Sequence, residues 1–243
     1  MWYTFPIFEF KLNESSYLAK HHIHNRQAQT SKDEFLSFVE ESLNRRILHQ
    51  FSIHEFRMSI YFRNLEHLTP WMDRWLAIII GRNVKKLDLD ICCRGPNGLY
   101  KVPPIVLGAK SITVLRLSTC DLNLTLASGI IKFSQLRELC LTEMHIDQWM
   151  IQTFTSSCPL IEFLELRRCI GLDCLCLPSS LLQLNRVVLS DCFRLKIVQI
   201  EVPNLVDLFV WDIYDITFPK INIVACGKSL RKLSLLILRT MTE

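Results

Sequence analysis

Long apolar runs are missing from this sequence. The longest, WLAIII (75–80) and LSLLIL (233–238), fall far short of the roughly 20 residues that cross a bilayer, so no membrane-spanning segment is expected. Glycine is scarce, with 7 in 243 residues, and no phosphate-cradling glycine loop, Gly-x-Ser-x-Gly elbow or His-Glu-x-x-His helix occurs. No catalytic residue, cofactor or metal is therefore expected. Basic residues are not gathered either: the net charge of +4 is spread along the chain, without a run able to neutralise many phosphates, which speaks against a nucleic-acid partner. The start, MWYTFPIFEFKLNESS, has no basic leader before its apolar stretch and no small-residue cleavage site after it, so no secretory signal is read. The expected setting is intracellular, cytoplasmic or nuclear, with the 10 cysteines as thiols. There the triplets Asn13-Glu14-Ser15 and Asn123-Leu124-Thr125 are chance matches to the glycosylation pattern.

What the chain has in quantity is hydrophobic residues, 49% of the total, arranged in a repeated phrase. It reads IEFLELRRC at 161 and recurs as VKKLDLDIC at 84, ITVLRLSTC at 112, LRELCLTEM at 136, LNRVVLSDC at 184, LVDLFVWDI at 205 and LRKLSLLIL at 230, with a divergent copy, IHEFRMSIY, at 53. Successive starts lie 31, 28, 24, 25, 23, 21 and 25 residues apart, around the period of leucine-rich repeats. In an extended strand side chains alternate, so Leu164 and Leu166 face one way while Phe163, Glu165 and Arg167 face the other. No single coil buries its leucines alone. Stacked coils do, which predicts a right-handed, curved α/β solenoid with a parallel concave sheet.

Cys92, Cys120, Cys169 and Cys192 follow the strand in four copies, at the asparagine-or-cysteine position where the chain turns inward, and need no redox or metal role. Between strands, 69–81 and 147–159 carry helix punctuation: proline early and glycine last in one, aspartate first and proline last in the other. Upstream, SKDEFLSFVEESL (31–43) has Ser31 and Glu34 in capping-box spacing, with Phe35, Phe38, Val39, Ser42 and Leu43 on one face. From 161 onward extra half-phrases, LDCLCL at 172 and LKIVQI at 195, shorten the spacing to 10–12 residues and leave no room for helices. The convex side is thus predicted helical in the first half and extended in the second, and the loop 92–104, with its glycines and prolines, is irregular.

Two clusters invite a metal. HHIH (21–24) lacks a second ligand group and reads as a loop; CIGLDCLC (169–176) lacks paired Cys-x-x-Cys spacing and reads as one turn cysteine, Cys169, followed by Cys174 and Cys176 on a half-strand. Cys92 and Cys93 read as two thiols.

The stretches WYTFPIFEF (2–10), DEFLSFVEESL (33–43), IHEFRMSI (53–60), WMDRWLAIIIGRNVKKLDLDI (71–91), SSCPLIEFLELRRCIGL (156–172) and VPNLVDLFVWD (202–212) resemble the plant F-box proteins with leucine-rich repeats, a family often ending in an FBD domain. Residues 2–10 are similar to the segment just after the F-box. The resemblance implies that the repeats select a protein for ubiquitination, while an F-box docks a Skp-type adaptor of a cullin ligase. No residues here match an F-box, so adaptor binding is expected only if one is restored. The expected division is a helical and irregular capping segment, 1–49, followed by the repeat domain, 50–243, incomplete at its C-terminal end.

The outward positions of the strands mix charge signs, which suits a protein surface. Phe163, Arg167, Arg186, Asp207, Phe209 and Trp211 fall on three consecutive main strands and form the candidate partner-binding face, since aromatic and arginine side chains anchor interfaces. The function read from these features is non-enzymatic protein recognition by a chain that is monomeric apart from its partners. A scaffold or decoy without ligase docking, and a co-receptor for a small ligand, are the alternatives.

Overall fold

The computed structural model describes residues 7–13, 25–48, 53–62, 66–93, 98–122, 131, 133–212, 219–224 and 229–237. Strands numbered in chain order are β1 (Ile7–Asn13), β2 (Glu55–Phe62), β3 (Lys86–Cys93), β4 (Tyr100–Lys101), β5 (Val114–Ser118), β6 (Cys120–Asp121) and β7 (Glu138–Thr142). They continue as β8 (Phe163–Arg167), β9 (Cys174–Leu177), β10 (Arg186–Ser190), β11 (Ile197–Ile200), β12 (Asp207–Asp212), β13 (Lys220–Ile223) and β14 (Lys232–Ile237). Every copy of the repeated phrase forms a strand of one nine-stranded parallel sheet, in the order β1-β2-β3-β5-β7-β8-β10-β12-β14.

The sheet is in straight register. Leu87, Leu115, Leu139, Leu164, Val187 and Leu208 stand one behind another and are buried, as are Leu89, Leu117, Leu141, Leu166, Leu189 and Val210 two residues on. Each buried side chain stabilises the stack by about 1.5–3 kcal/mol. At the entry to each strand one carbonyl accepts from two successive N–H groups of the next coil: Thr113 O from Arg137 and Glu138, Arg137 O from Glu162 and Phe163, Glu162 O from Asn185 and Arg186.

At the strand exits Thr119, Glu143, Arg168 and Asp191 all have φ near +50°, and their N–H groups bond Thr142, Arg167, Ser190 and Trp211 carbonyls of the following strand. The left-handed residue turns the chain inward, placing Cys120, Met144, Cys169 and Cys192 in the core. The thiols donate back to backbone: Cys169 Sγ to Leu141 O at 3.3 Å and Cys192 Sγ to Leu166 O at 3.4 Å. Cys92 does not share this role. Strands β2 and β3 are eight residues long, so Cys92 lies inside β3, half-buried and paired with Tyr61.

The convex side changes character as the spacing predicts. Helices α1 (Asn25–Leu48), α2 (Thr69–Gly81), α3 (Pro104–Leu107) and α4 (Gln148–Ser157) cover the first part; β9, β11 and β13 form a parallel three-stranded sheet behind the second. In α2, Met72, Trp75, Leu76 and Ile79 repeat at helical spacing and are buried. Asp147 caps α4 by accepting from Met150 N at 2.8 Å. In the irregular loop, residues 94–97 lie outside the described residues, while β4 pairs with β6 and the buried Tyr100 hydroxyl donates to Asp73 Oδ1 at 2.6 Å.

Two N-terminal expectations are corrected. The segment 1–49 is more than a cap, because β1 pairs with β2 in the main sheet and buries Phe10 against the ring of Phe56. The alternation of Phe8, Phe10 and Leu12 with Glu9 and Lys11 carries that strand. The helix expected to start at Ser31 starts at Asn25, and its buried face is Leu36, Val39 and Leu43, with Phe38 exposed. Glu40 ties it down: Trp75 Nε1 donates to Oε2 at 2.9 Å and Arg74 pairs with Oε1 at 2.8 Å.

Candidate functional site

Straight register turns the concave face into three rows. The middle one reads Glu9, Arg57, Asp88, Arg116, Cys140, Glu165, Val188, Phe209 and Ser234 from β1 to β14. Charges alternate over its first four positions, and beyond them Glu165 is the one charged residue, among Cys140, Val188, Phe209 and Ser234. Three of these four charges are matched by side chains of the flanking rows: Lys11 pairs with Glu9 at 2.7 Å, Arg57 with Glu55, and Arg116 with Glu138 at 2.9 Å. A hollow of about 220 Å³ between Glu9, Lys11, Arg57, Ser59, Asp88 and Asp90 marks this end. Burial raises the Asp88 carboxyl above its ordinary range, and the guanidinium groups of Arg116 and Arg57 offset part of that rise.

The face is more closed than alternation alone suggests. Glu55, Val114, Cys140, Val188 and Ser190, all outward positions, are buried. Side chains crowd together on the inside of a curve, and long neighbours such as Arg116 lie across the short ones. Burial and the nearby Glu165 push the Cys140 thiol up to about 12.

The other end carries the six expected residues, and the structure brings them together on β8, β10 and β12. Phe163 and Arg186 are register partners, and Phe209 stands diagonally across from Arg186. The Arg186 guanidinium carbon lies 5.5 Å from the Phe163 ring centre and 5.2 Å from that of Phe209, so the planar group has an aromatic ring on each side. Lys232, from β14, sits 4.9 Å from the Phe209 ring centre. Arg167 pairs with Glu165 at 2.6 Å. Trp211 is 42% exposed, an indole with nearly half its surface in solvent at an outward position.

Residue-level reading places Lys232 on the outward side of its strand but leaves it out of the candidate patch, and it does not show Arg186 lying between two rings. The signal was present: aligning the repeats places Phe163, Arg186 and Asp207 in one row, with Phe209 two residues beyond Asp207. Glu9 and Lys11 were missed because β1 lies outside the repeated phrase.

Cys174 and Cys176 face outward on β9 with their sulfurs 3.3 Å apart, while Cys169 turns into the core. Among the described residues no group of three or more His, Cys, Asp and Glu is placed to hold a metal; His21, His22 and His24 lie outside them. Among them, too, no helix is long and apolar enough to cross a membrane.

Residues 47–236 match the model of the family described as At1g61320/AtMIF1, LRR domain. The chain belongs to that leucine-rich-repeat family. Over 121 residues it is 31% identical to the F-box/FBD/LRR-repeat protein At1g13570 of Arabidopsis thaliana, covering 49% of this chain and 27% of that protein. Over 156 residues it is 26% identical to the F-box/LRR-repeat protein At3g58900 of the same plant, covering 63% of this chain and 46% of the relative. The chain thus spans less than half the length of either curated relative it matches. No solved structure matches it. The leucine-rich-repeat solenoid and the plant F-box/LRR kinship read from the repeats and their flanks are both borne out. The coarse reading, a protein-interaction repeat module, stands with them.

Proposed function

We propose that the chain selects a partner protein on the C-terminal half of its concave face, as the substrate-recognition part of an F-box ubiquitin-ligase subunit. The observation that carries this reading is the exposed Trp211 and the aromatic-held Arg186 on neighbouring strands of a sheet whose other charges are largely matched to one another. An interface anchor needs an apolar body that gains by leaving water and a donor already held in place, and the two residues supply one each. The names of the curated relatives join an F-box to such repeats, which supports the ligase half of the proposal. Docking to a Skp-type adaptor belongs to a form of the protein that carries an F-box.

Proximity labelling in plant cells tests both halves, with the full-length protein as wild type and as Trp211→Ala. Proteins labelled by the wild type and lost from the variant at equal abundance are the expected targets. The ligase half further requires the adaptor among the labelled proteins, and accumulation of the targets when the proteasome is inhibited. Targets without the adaptor make the chain a scaffold, and a labelled set indifferent to Trp211 removes the concave-face reading.

A further inference from the structure

Four arginines line the concave face among the described residues. Arg57, Arg116 and Arg167 are each closed by a carboxylate. Arg186 is the exception: its guanidinium carbon lies over the rings of Phe163 and Phe209, and no carboxylate among the described residues pairs with it. Two rings beside a guanidinium do not take up its N–H donors as a carboxylate would, which leaves those donors for a ligand. Held in this way it presents the fork that receives two carboxylate oxygens side by side, with its rotamer fixed before the ligand arrives. Lys232, 4.9 Å from the centre of the Phe209 ring, adds a second cation that no described carboxylate pairs with.

We infer that this end of the concave face takes a partner segment in which a carboxylate side chain and an apolar one stand about four extended residues apart, the offset between Trp211 and Asp207, the register partner of Arg186. The carboxylate is received by Arg186 and Lys232, and the apolar residue lies against Trp211. This rests on the recognition reading above. The charge balance chooses the anion. Asp207 is the register partner of both Arg186 and Lys232 and forms an ion pair with neither. With Arg167 matched to Glu165, the patch carries two unmatched cations and one unmatched anion. A singly charged carboxylate fits that surplus; a doubly charged phosphate would meet the Asp207 carboxylate as well. The paired charges of the first half of the face give a polyanion nothing continuous to follow.

The two unmatched signs make opposite predictions. Arg186→Gln removes the fork and weakens binding about tenfold or more, the range of a hydrogen-bonded charge pair. Asp207→Asn removes the competing anion and tightens binding about two- to threefold. The experiment pans a library of random 12-residue peptides against the immobilised chain, then measures binding of the enriched peptides and their Glu→Gln, Asp→Asn and phosphoserine counterparts. Melting curves of each variant establish that it is folded.

Acidic-apolar peptides that bind the wild type, weaken with Arg186→Gln and with the amide peptides, and tighten with Asp207→Asn are the expected result. Peptides that depend on Trp211 while ignoring Arg186, or that bind better as phosphoserine than as glutamate, overturn the acidic-segment inference and leave the recognition reading in place. Peptides indifferent to both Trp211 and Arg186 overturn the recognition reading itself.

Discussion

A methyl group added to Gly171 would stand 2.8 Å from Nε2 of His145 and 2.9 Å from the carbonyl oxygen of Ile146. Gly171 has φ +92° and follows Ile170, whose N–H bonds Met144 O and which bridges to His145 on the neighbouring coil. Both the conformation and the space therefore require glycine. Gly171→Ala is expected to destabilise the solenoid by about 2 kcal/mol, the order of a strained backbone position. Thermal unfolding followed by circular dichroism checks it; a loss of under 0.5 kcal/mol would show that the coils slide apart freely at this point.

Thr119 presents the opposite case. Its φ of +54° is costly for a β-branched residue, and among the described residues its hydroxyl is the buried polar side-chain atom without a partner. Thr119→Gly relieves a left-handed cost of about 1–2 kcal/mol and the orphaned hydroxyl, against a glycine entropy penalty of about 0.5–1 kcal/mol. A net gain of about 1 kcal/mol is expected, read as a rise in Tm of roughly 2–4 °C.

Asp88 gives the fold a pH dependence. Burial raises its folded pKa above the ordinary 3.8. Its favourable contribution is therefore complete only below the unfolded pKa, where it is protonated in both states, and is lost as pH rises through the raised folded value. At neutral pH the ionised group is a liability. Asp88→Asn should be more stable than the wild type at pH 7 and should lose that advantage near pH 3. Urea titrations at the two pH values decide it, and an unchanged difference would mean that Asp88 is solvated in the fold.

The thiols should react in a fixed order. Burial pushes Cys169 up to about 11 and Cys158 and Cys192 up to about 12, whereas Cys174 and Cys176 are half-exposed on the convex sheet. Brief maleimide treatment of the native protein, read by peptide mass spectrometry, should label Cys174 or Cys176 well before Cys169 and Cys192. Equal rates would mean that the inward corners open on the labelling timescale.

The strands were legible because a period-two pattern recurring about every 25 residues leaves little freedom: Leu164 and Leu166 are buried only if Leu139 and Leu141 stand beside them. The exchange of convex helices for strands was legible from length alone, since the 10–12 residues between half-phrases hold one extended segment and its turns. What stayed hidden depended on distant neighbours. Strand β1 is a single phrase with no spacing to test it, and Phe38 follows helical periodicity yet faces solvent because Leu36, Val39 and Leu43 already fill the contact. At the site, the sequence lines up the right residues in the right rows. That Cys140 and Val188 are covered while Trp211 is open follows from curvature and from side-chain lengths on adjacent coils.

The straight register of the nine strands also sets a ruler. Neighbouring coils are spaced about 4.8 Å apart along the sheet, whereas an extended peptide advances about 3.4 Å per residue, so the two scales coincide at about seven residues to five coils. A partner strand laid across the sheet would therefore fall back into step with the rows only at every seventh residue. The two open anchors, Arg186 and Trp211, sit on adjacent coils but in different rows, about 13 Å apart along the strands, since the partner of Arg186 is Asp207 and that of Trp211 is Ser190. A linear motif that reaches both anchors therefore runs obliquely to the rows, with its two recognised residues about four apart and any further match to the rows out of step.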